Sequence, residues 1–222
     1  MEPVPLPLNV PTRPERRIGL FGGSFDPVHA GHLHAARLAR DRFDLDRVVF
    51  VPAFRSPFKP GREPAPGPDR LHMIELAIRG ERAFEVSDVE LARGGPSYTI
   101  DTVKALPRVL GEREEVAIHL VIGSDNLPSI AGWRDARALL LRVDPIVVHR
   151  EGEPDALLDD LERELGPEIA AKFARGYLRL PPFVASSSDV RAALQGDGPS
   201  ELVVPAVVLE WIRARGLYGT RA

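Results

Sequence analysis

Residues Leu20–Leu33, LFGGSFDPVHAGHL, set two glycines after an apolar run, then His29 and His32 on either side of a third glycine where a helical pattern begins. Gly22 and Gly23 would let backbone N–H groups approach a ligand with no Cβ in the way. Imidazoles three residues apart can share one face of a helix start. The free N–H groups and macrodipole at such a start attract anions, and two imidazoles add directional donors for phosphate oxygens. A metal would need more. Asp26, His29 and His32 could offer three ligands, but Pro27 and Gly31 break the regular helix that such a set requires. Either histidine alone would read as a surface residue. Paired behind a strand and a Gly-Gly turn, they favour phosphate. The spacing of Gly19, Gly22 and Gly23 is not GxGxxG, and no Gly-Lys-Ser/Thr follows, so neither a dinucleotide-binding dehydrogenase nor a Walker A loop is supported.

A second signal lies far downstream in ASSSDVRAAL. Ser186, Ser187 and Ser188 precede a short helical pattern with Arg191 in its first turn. Serines there are most often only caps, but hydroxyls with a guanidinium also suit bidentate phosphate contact. Two anion-ready helix starts in one chain point to a ligand larger than a monophosphate, a triphosphate bridging them.

These residues must be held by a fold. The 222 residues suffice for one full-sized core, so a single α/β domain is expected. Residues 1–16 carry five prolines and read as a flexible tail, leaving residues 17–222 as the domain. With a net charge of -3 there is no basic stripe, and no nucleic-acid partner is expected. No cysteine is present, which removes disulfides, thiolate zinc and cysteine nucleophiles. The N-terminus lacks a signal-peptide core and no apolar run is long enough to span a membrane, so a cytoplasmic protein is expected.

Short apolar runs alternate with helical patterns along the chain. Strands are expected at RIGLF, RVVFVP, AFEVS, EVAIHLVIG, DPIVVHR and GYLRLP. Between them fall helices at HLHAARLARDRF, at DRLHMIELAIRG with Asp69 as N-cap and Gly80 as stop, at SYTIDTVKALPRVL, RDARALLLR and PDALLDDLEREL. Two helical patterns, SDVRAALQ and PAVVLEWIRARG, finish the chain. The alternation implies a Rossmann-like, doubly wound parallel sheet covered on both faces, with a C-terminal helical part. Ligands in such sheets sit outside the carboxyl ends of the strands. The stretch AFRSPFKPGREPAPGP is an irregular loop long enough to be functional. His34, His72, His119 and His149 fall on helix surfaces or in strands and read as structural.

GGSFDPVHAGH and SSSDVR together resemble the nucleotidylyltransferase superfamily, with its HxGH signature and later Ser-Ser-Ser/Thr-x-x-Arg motif. Within it, RLHMIELAI, GGPSYTIDTV, VIGSDNL followed by Trp133, and LEWIRARGLYG resemble the bacterial nicotinate-mononucleotide adenylyltransferases over Arg17 to Tyr218. The resemblance implies transfer of AMP from ATP to nicotinate mononucleotide, giving pyrophosphate and the deamido precursor of NAD. It implies Mg²⁺ carried by ATP oxygens and water, with no protein metal site. The attacking phosphate is already ionised, so no strong base is needed.

The same resemblance implies that His29 and His32 contact the ATP phosphates, with His32 nearest the reacting phosphorus. Ser187, Ser188 and Arg191 would hold the outer phosphates, and Gly22, Gly23, Ser24 and Phe25 would line the nucleotide site. Asp125 would take ribose hydroxyls, or else cap a turn. Trp133 would stack on the pyridine ring, or else be a core residue. Tyr98 and Thr99 would gather donors round the nicotinate carboxylate, with Ser97 read as a helix cap. Lys59 would meet the mononucleotide phosphate, although Phe58 stands where many relatives carry a histidine donor. Nicotinamide mononucleotide or phosphopantetheine as acceptor, or a nucleotide-sensing domain without turnover, are the competing readings.

Overall fold

A computed structural model of the chain describes residues 16–57, 63–112, 116–149, 155–179, 186–196 and 203–220. Six strands form one sheet: β1 (Arg16–Gly23), β2 (Arg47–Pro52), β3 (Phe84–Val86), β4 (Val116–Gly123), β5 (Val143–His149) and β6 (Tyr177–Arg179). All neighbours pair in parallel, in the order β3-β2-β1-β4-β5-β6. The direction of winding reverses between β1 and β4, which opens a crevice at their carboxyl ends.

Because side chains alternate across a strand, each central strand feeds two cores. Phe21, Val48, Phe50, Val121 and Val148 face one layer, built from α1 (Ala30–Arg42), α2 (Gly67–Ala77) and α9 (Ala206–Ala214). Ile18, Leu20, Val49, Ile118 and Leu120 face the other, covered by α4 (Thr99–Val109), α5 (Ala136–Arg142) and α7 (Pro167–Arg175). Phe50, buried between Phe21, Phe25 and Phe84, is a keystone of the first core. Truncating such a residue to alanine costs on the order of 3–5 kcal/mol. Three further α-helices lie among the described residues: α3 (Val89–Arg93), α6 (Asp155–Leu165) and α8 (Ser187–Gln195).

The architecture is the doubly wound α/β fold expected from the alternation, with three local differences. Helix α2 starts at Gly67 behind Pro66, so Asp69 is not its cap; Asp69 lies buried in the first turn and accepts from Arg215 Nε at 3.1 Å. Helices α3 and α7 have no counterpart among the expected elements. The third difference follows β4, where Ser124–Gly132 coils as a 3₁₀ segment and delivers Trp133 before α5 begins. At the turn from α7 into β6, the Pro145 carbonyl occupies the place a Cβ would take on Gly176, so only glycine lets the two elements approach. The proline-rich residues 1–15 lie outside the described residues. Among the described residues no helix is long and apolar enough to cross a membrane.

Candidate active site

A cleft of about 740 Å³ opens at the carboxyl ends of β1 and β4, at the reversal of strand order. Its floor is the turn after β1. Phe25 there has a positive φ of 45° and a buried ring, and the ring lies where a side chain on Gly23 would begin, 3.2 Å from that position. A side chain on Gly23 would press on the Phe25 ring, so the absence of a Cβ there eases its folding back under the turn.

The turn delivers His29 as N-cap of α1 and His32 one turn in. The His29 backbone N–H donates to His32 Nδ1 at 3.2 Å, and the rings lie 3.8 Å apart, tilted by 32°. An Nδ1 that accepts leaves Nε2 as the protonated nitrogen of a neutral imidazole. The edge of the Phe25 ring, 4.9 Å away, fixes the His32 plane. Both histidines line the cleft, His29 buried and His32 half-buried.

Helix α8 brings the second helix start to the same place. Ser186 and Asp189 cap it reciprocally, leaving Ser187 and Ser188 for other work. Ser187 Oγ donates to the Pro27 carbonyl at 3.0 Å. Arg191 Nη1 donates to the Asp26 carbonyl at 2.6 Å, and its Nη2 to Ser188 Oγ at 2.9 Å. The N-termini of α1 and α8 are thus stitched together through residues 26 and 27. Ser187, Ser188 and Arg191 all line the cleft.

Asp26 is the knot. It is buried, and its Oδ1 accepts from the Tyr218 hydroxyl at 2.8 Å and from the Ala65 N–H at 2.9 Å. Its Oδ2 lies 3.8 Å from Arg191 Nη1. Its carboxylate is thereby committed to the scaffold rather than to a metal set with the histidines. Among the described residues no cluster of three His, Asp or Glu side chains gathers as a metal cage. Arg70, fully buried, spans to the Ser24 carbonyl at 2.8 Å and the Ala65 carbonyl at 2.8 Å. Burial lowers the Arg70 pKa, partly offset by the charge of Asp26. Burial first, and then the Asp26 carboxylate, push the Tyr218 hydroxyl well above its usual value.

The far end of the cleft is formed by the loops after β2, β3 and β4. Trp133 lines it and, half-buried, also packs against the second core. Asp125 also lines the cleft; it is exposed in the first turn of the 3₁₀ segment and accepts from Asn126 Nδ2 at 3.3 Å, with Gly123 as the N-cap. It is not the cap. Thr99 begins α4 at the cleft wall, but Tyr98 packs against the second core with the Arg134 guanidinium 4.7 Å from its ring centroid. Ser97 is not the helix cap either: that position is Tyr98, and Ser97 Oγ accepts the Phe54 N–H at 2.9 Å, tying the loop after β2 to α4. Phe58 and Lys59 lie outside the described residues.

Two cleft residues escape sequence reasoning. Arg55 lines the wall, its carbonyl receiving the Ser97 N–H at 2.9 Å. Its signal was available, since it stands in the loop after a strand that was already expected to reach the site. Glu90 lines the same wall and accepts from Thr102 Oγ1 at 2.5 Å, on a short helix with no periodicity long enough to see.

Residues 20–193 match the Cytidylyltransferase-like family. A Bordetella petrii protein carrying the name "Probable nicotinate-nucleotide adenylyltransferase" is 42% identical over 205 residues, covering 91% of this chain and 99% of its own. A Desulfitobacterium hafniense protein of the same name is 35% identical over 206 residues, covering 92% and 97%. Among solved structures, the Plasmodium falciparum nicotinic acid mononucleotide adenylyltransferase complexed with NaAD superposes with a TM-score of 0.71 at 17% identity, covering 93% of this chain and 99% of its own. That last likeness is one of fold. Taken with the two helix starts that meet over one crevice, the matches make this chain a member of the cytidylyltransferase-like family, in its nicotinate-nucleotide adenylyltransferase branch.

Proposed function

We propose that the cleft joins the AMP part of ATP to nicotinate mononucleotide, releasing pyrophosphate and forming the deamido precursor of NAD. The observation that carries this reading is the convergence of α1, with His29 and His32, and α8, with Ser187, Ser188 and Arg191, on one cleft whose other end holds Trp133 and Thr99. Such a site offers donors for a triphosphate at one end and a flat ring with a helix start at the other. An oxygen of the mononucleotide phosphate attacks the α-phosphorus. A new P–O bond forms as the bond to the bridging oxygen breaks, and the electron pair leaves with pyrophosphate. The nucleophile is ionised before the reaction, so the site needs donors and alignment rather than a base.

His32 serves the α-phosphate oxygens through its Nε2–H as charge develops there. His29 and the turn at Gly22, Gly23 and Ser24 serve the same phosphate from the other side. Ser187, Ser188 and Arg191 hold the β- and γ-phosphates and steady the leaving group. Asp125 accepts from ribose hydroxyls, and the α4 start at Thr99 receives the nicotinate carboxylate. Arg55, with Lys59, supplies positive charge for the mononucleotide phosphate where Phe58 offers no donor.

The donor set of imidazole, hydroxyl and guanidinium groups fits Mg²⁺ that travels on the triphosphate with its waters. When bound, the ion neutralises charge on the departing pyrophosphate. The same reading assigns the enzyme to the cytoplasm, with ATP.

Pyrophosphate release with ATP and Mg²⁺ tests the reading, with nicotinate mononucleotide, nicotinamide mononucleotide and phosphopantetheine compared as acceptors. Preference for the acid mononucleotide is expected. Preference for another acceptor would overturn the roles given to Thr99 and Trp133, and ATP binding without release would make this a sensing domain.

A further inference from the structure

We propose that Tyr218 is a positioning residue for the triphosphate end of the cleft, acting through Asp26 on Arg191. The inference rests on the reading of Arg191 as a phosphate ligand. Tyr218 lies 192 residues from Asp26 in sequence, yet its hydroxyl donates to Asp26 Oδ1 at 2.8 Å. The acceptor is nearly closed to water, with Asp26 only 4% exposed. A buried carboxylate holds its place through the donors around it, and losing one leaves a charge that must find another. The other oxygen of that carboxylate is 3.8 Å from Arg191, and the Asp26 carbonyl takes the same guanidinium nitrogen at 2.6 Å. Whatever fixes Asp26 fixes Arg191.

The backbone that presents Tyr218 is unusual in a way that points to this use. Tyr218 is left-handed, at φ 58° and ψ 25°, between left-handed Gly216 (φ 59°) and positive-φ Gly219 (φ 80°). A bulky residue with a Cβ is strained there, and such strain persists where surrounding structure over-determines it. The turn is closed by Thr220 Oγ1, which donates to the Leu217 carbonyl at 2.8 Å, and the neighbouring helix α8 packs against it. An aromatic filler would not need a hydroxyl. Here the hydroxyl is the only atom by which Tyr218 differs from phenylalanine, and it is the atom that meets Asp26.

The test is a double-mutant cycle on binding of a non-hydrolysable ATP analogue with Mg²⁺, using wild type, Tyr218→Phe, Arg191→Ala and the double variant. Tyr218→Phe is expected to weaken the analogue about tenfold, the scale of a hydrogen bond to a charged group. It should raise KM for ATP similarly while leaving KM for the mononucleotide within about twofold. In the Arg191→Ala background the same change should alter binding by less than about twofold, because its route of action is gone. Asp26→Asn provides the second variant and should follow the same pattern. Equal losses in both backgrounds, no loss in either, or equal effects on the two KM values would overturn the proposal. Wild type that binds no ATP analogue would instead overturn the function reading, and this inference with it.

Discussion

The backbone N–H of His29 donates to Nδ1 of His32, and the two rings stack at 3.8 Å. One histidine therefore fixes the tautomer of the other. Replacing His32 by alanine removes the oriented donor at the edge of the first core, where the half-buried ring meets Phe21 and Phe25. We expect kcat to fall by about 10²–10³, as for loss of one donor to a developing oxyanion. The unfolding midpoint should stay near that of wild type. Steady-state pyrophosphate release checks it, and near-normal kcat would end the phosphate role.

Trp133 should behave differently. Stacking of an aromatic residue on a base is worth about 1–3 kcal/mol, so Trp133→Ala should raise KM for the mononucleotide roughly 5- to 150-fold. KM for ATP should move little. Because Trp133 also packs on the second core, the alanine variant will lose stability, and Trp133→Phe is the control that keeps the packing. Equal changes in both KM values would leave only the core role.

Arg55 stands on the cleft wall with its backbone pinned by Ser97. Arg55→Ala should raise KM for the mononucleotide by roughly tenfold and flatten its dependence on ionic strength, since an exposed charge is screened by salt. Arg55→Lys should recover part of the loss. An unchanged KM would assign the phosphate to other groups.

Alkaline stability offers a separate check on Tyr218. Its folded-state pKa lies above the ordinary tyrosine value of 10.0, through burial and the Asp26 charge. The folded state thus holds a proton that the unfolded chain releases. The stabilisation is complete below about pH 10 and is lost as pH climbs from there toward the folded value. Wild type should therefore lose stability above about pH 10 more steeply than Tyr218→Phe does. Parallel curves for the two proteins would count against a buried, proton-holding hydroxyl.

The elements that carry periodicity were legible in the sequence. Both faces of β1, β2, β4 and β5 are apolar, which announces a covered parallel sheet, and the glycines and histidines after β1 announce its switch-point loop. The unexpected α7 had its own mark: Pro167 begins it and Ile169, Ala170 and Phe173 share a buried face, but nine residues give little more than two turns of pattern. Where the Tyr98 ring goes was not legible: its neighbour Thr99 lines the cleft while the Tyr98 ring packs on the second core with Arg134 over it. The hub of Asp26, Arg70 and Tyr218 left no local trace at all. Arg70 reaches back 46 residues to the Ser24 carbonyl and Tyr218 reaches back 192 to Asp26, and only the fold makes them neighbours.

That hub has a consequence for the young polypeptide leaving the ribosome. Ile18 in β1 pairs with Ile118 in β4, so the crevice between them cannot exist until more than half the chain has emerged. Arg191 and Tyr218 come later still. A copy that stops before residue 191 carries His29 and His32 but lacks the second helix start proposed to hold a triphosphate beside them. The proposed ATP site can form only once the chain has been made through Arg191 and Tyr218.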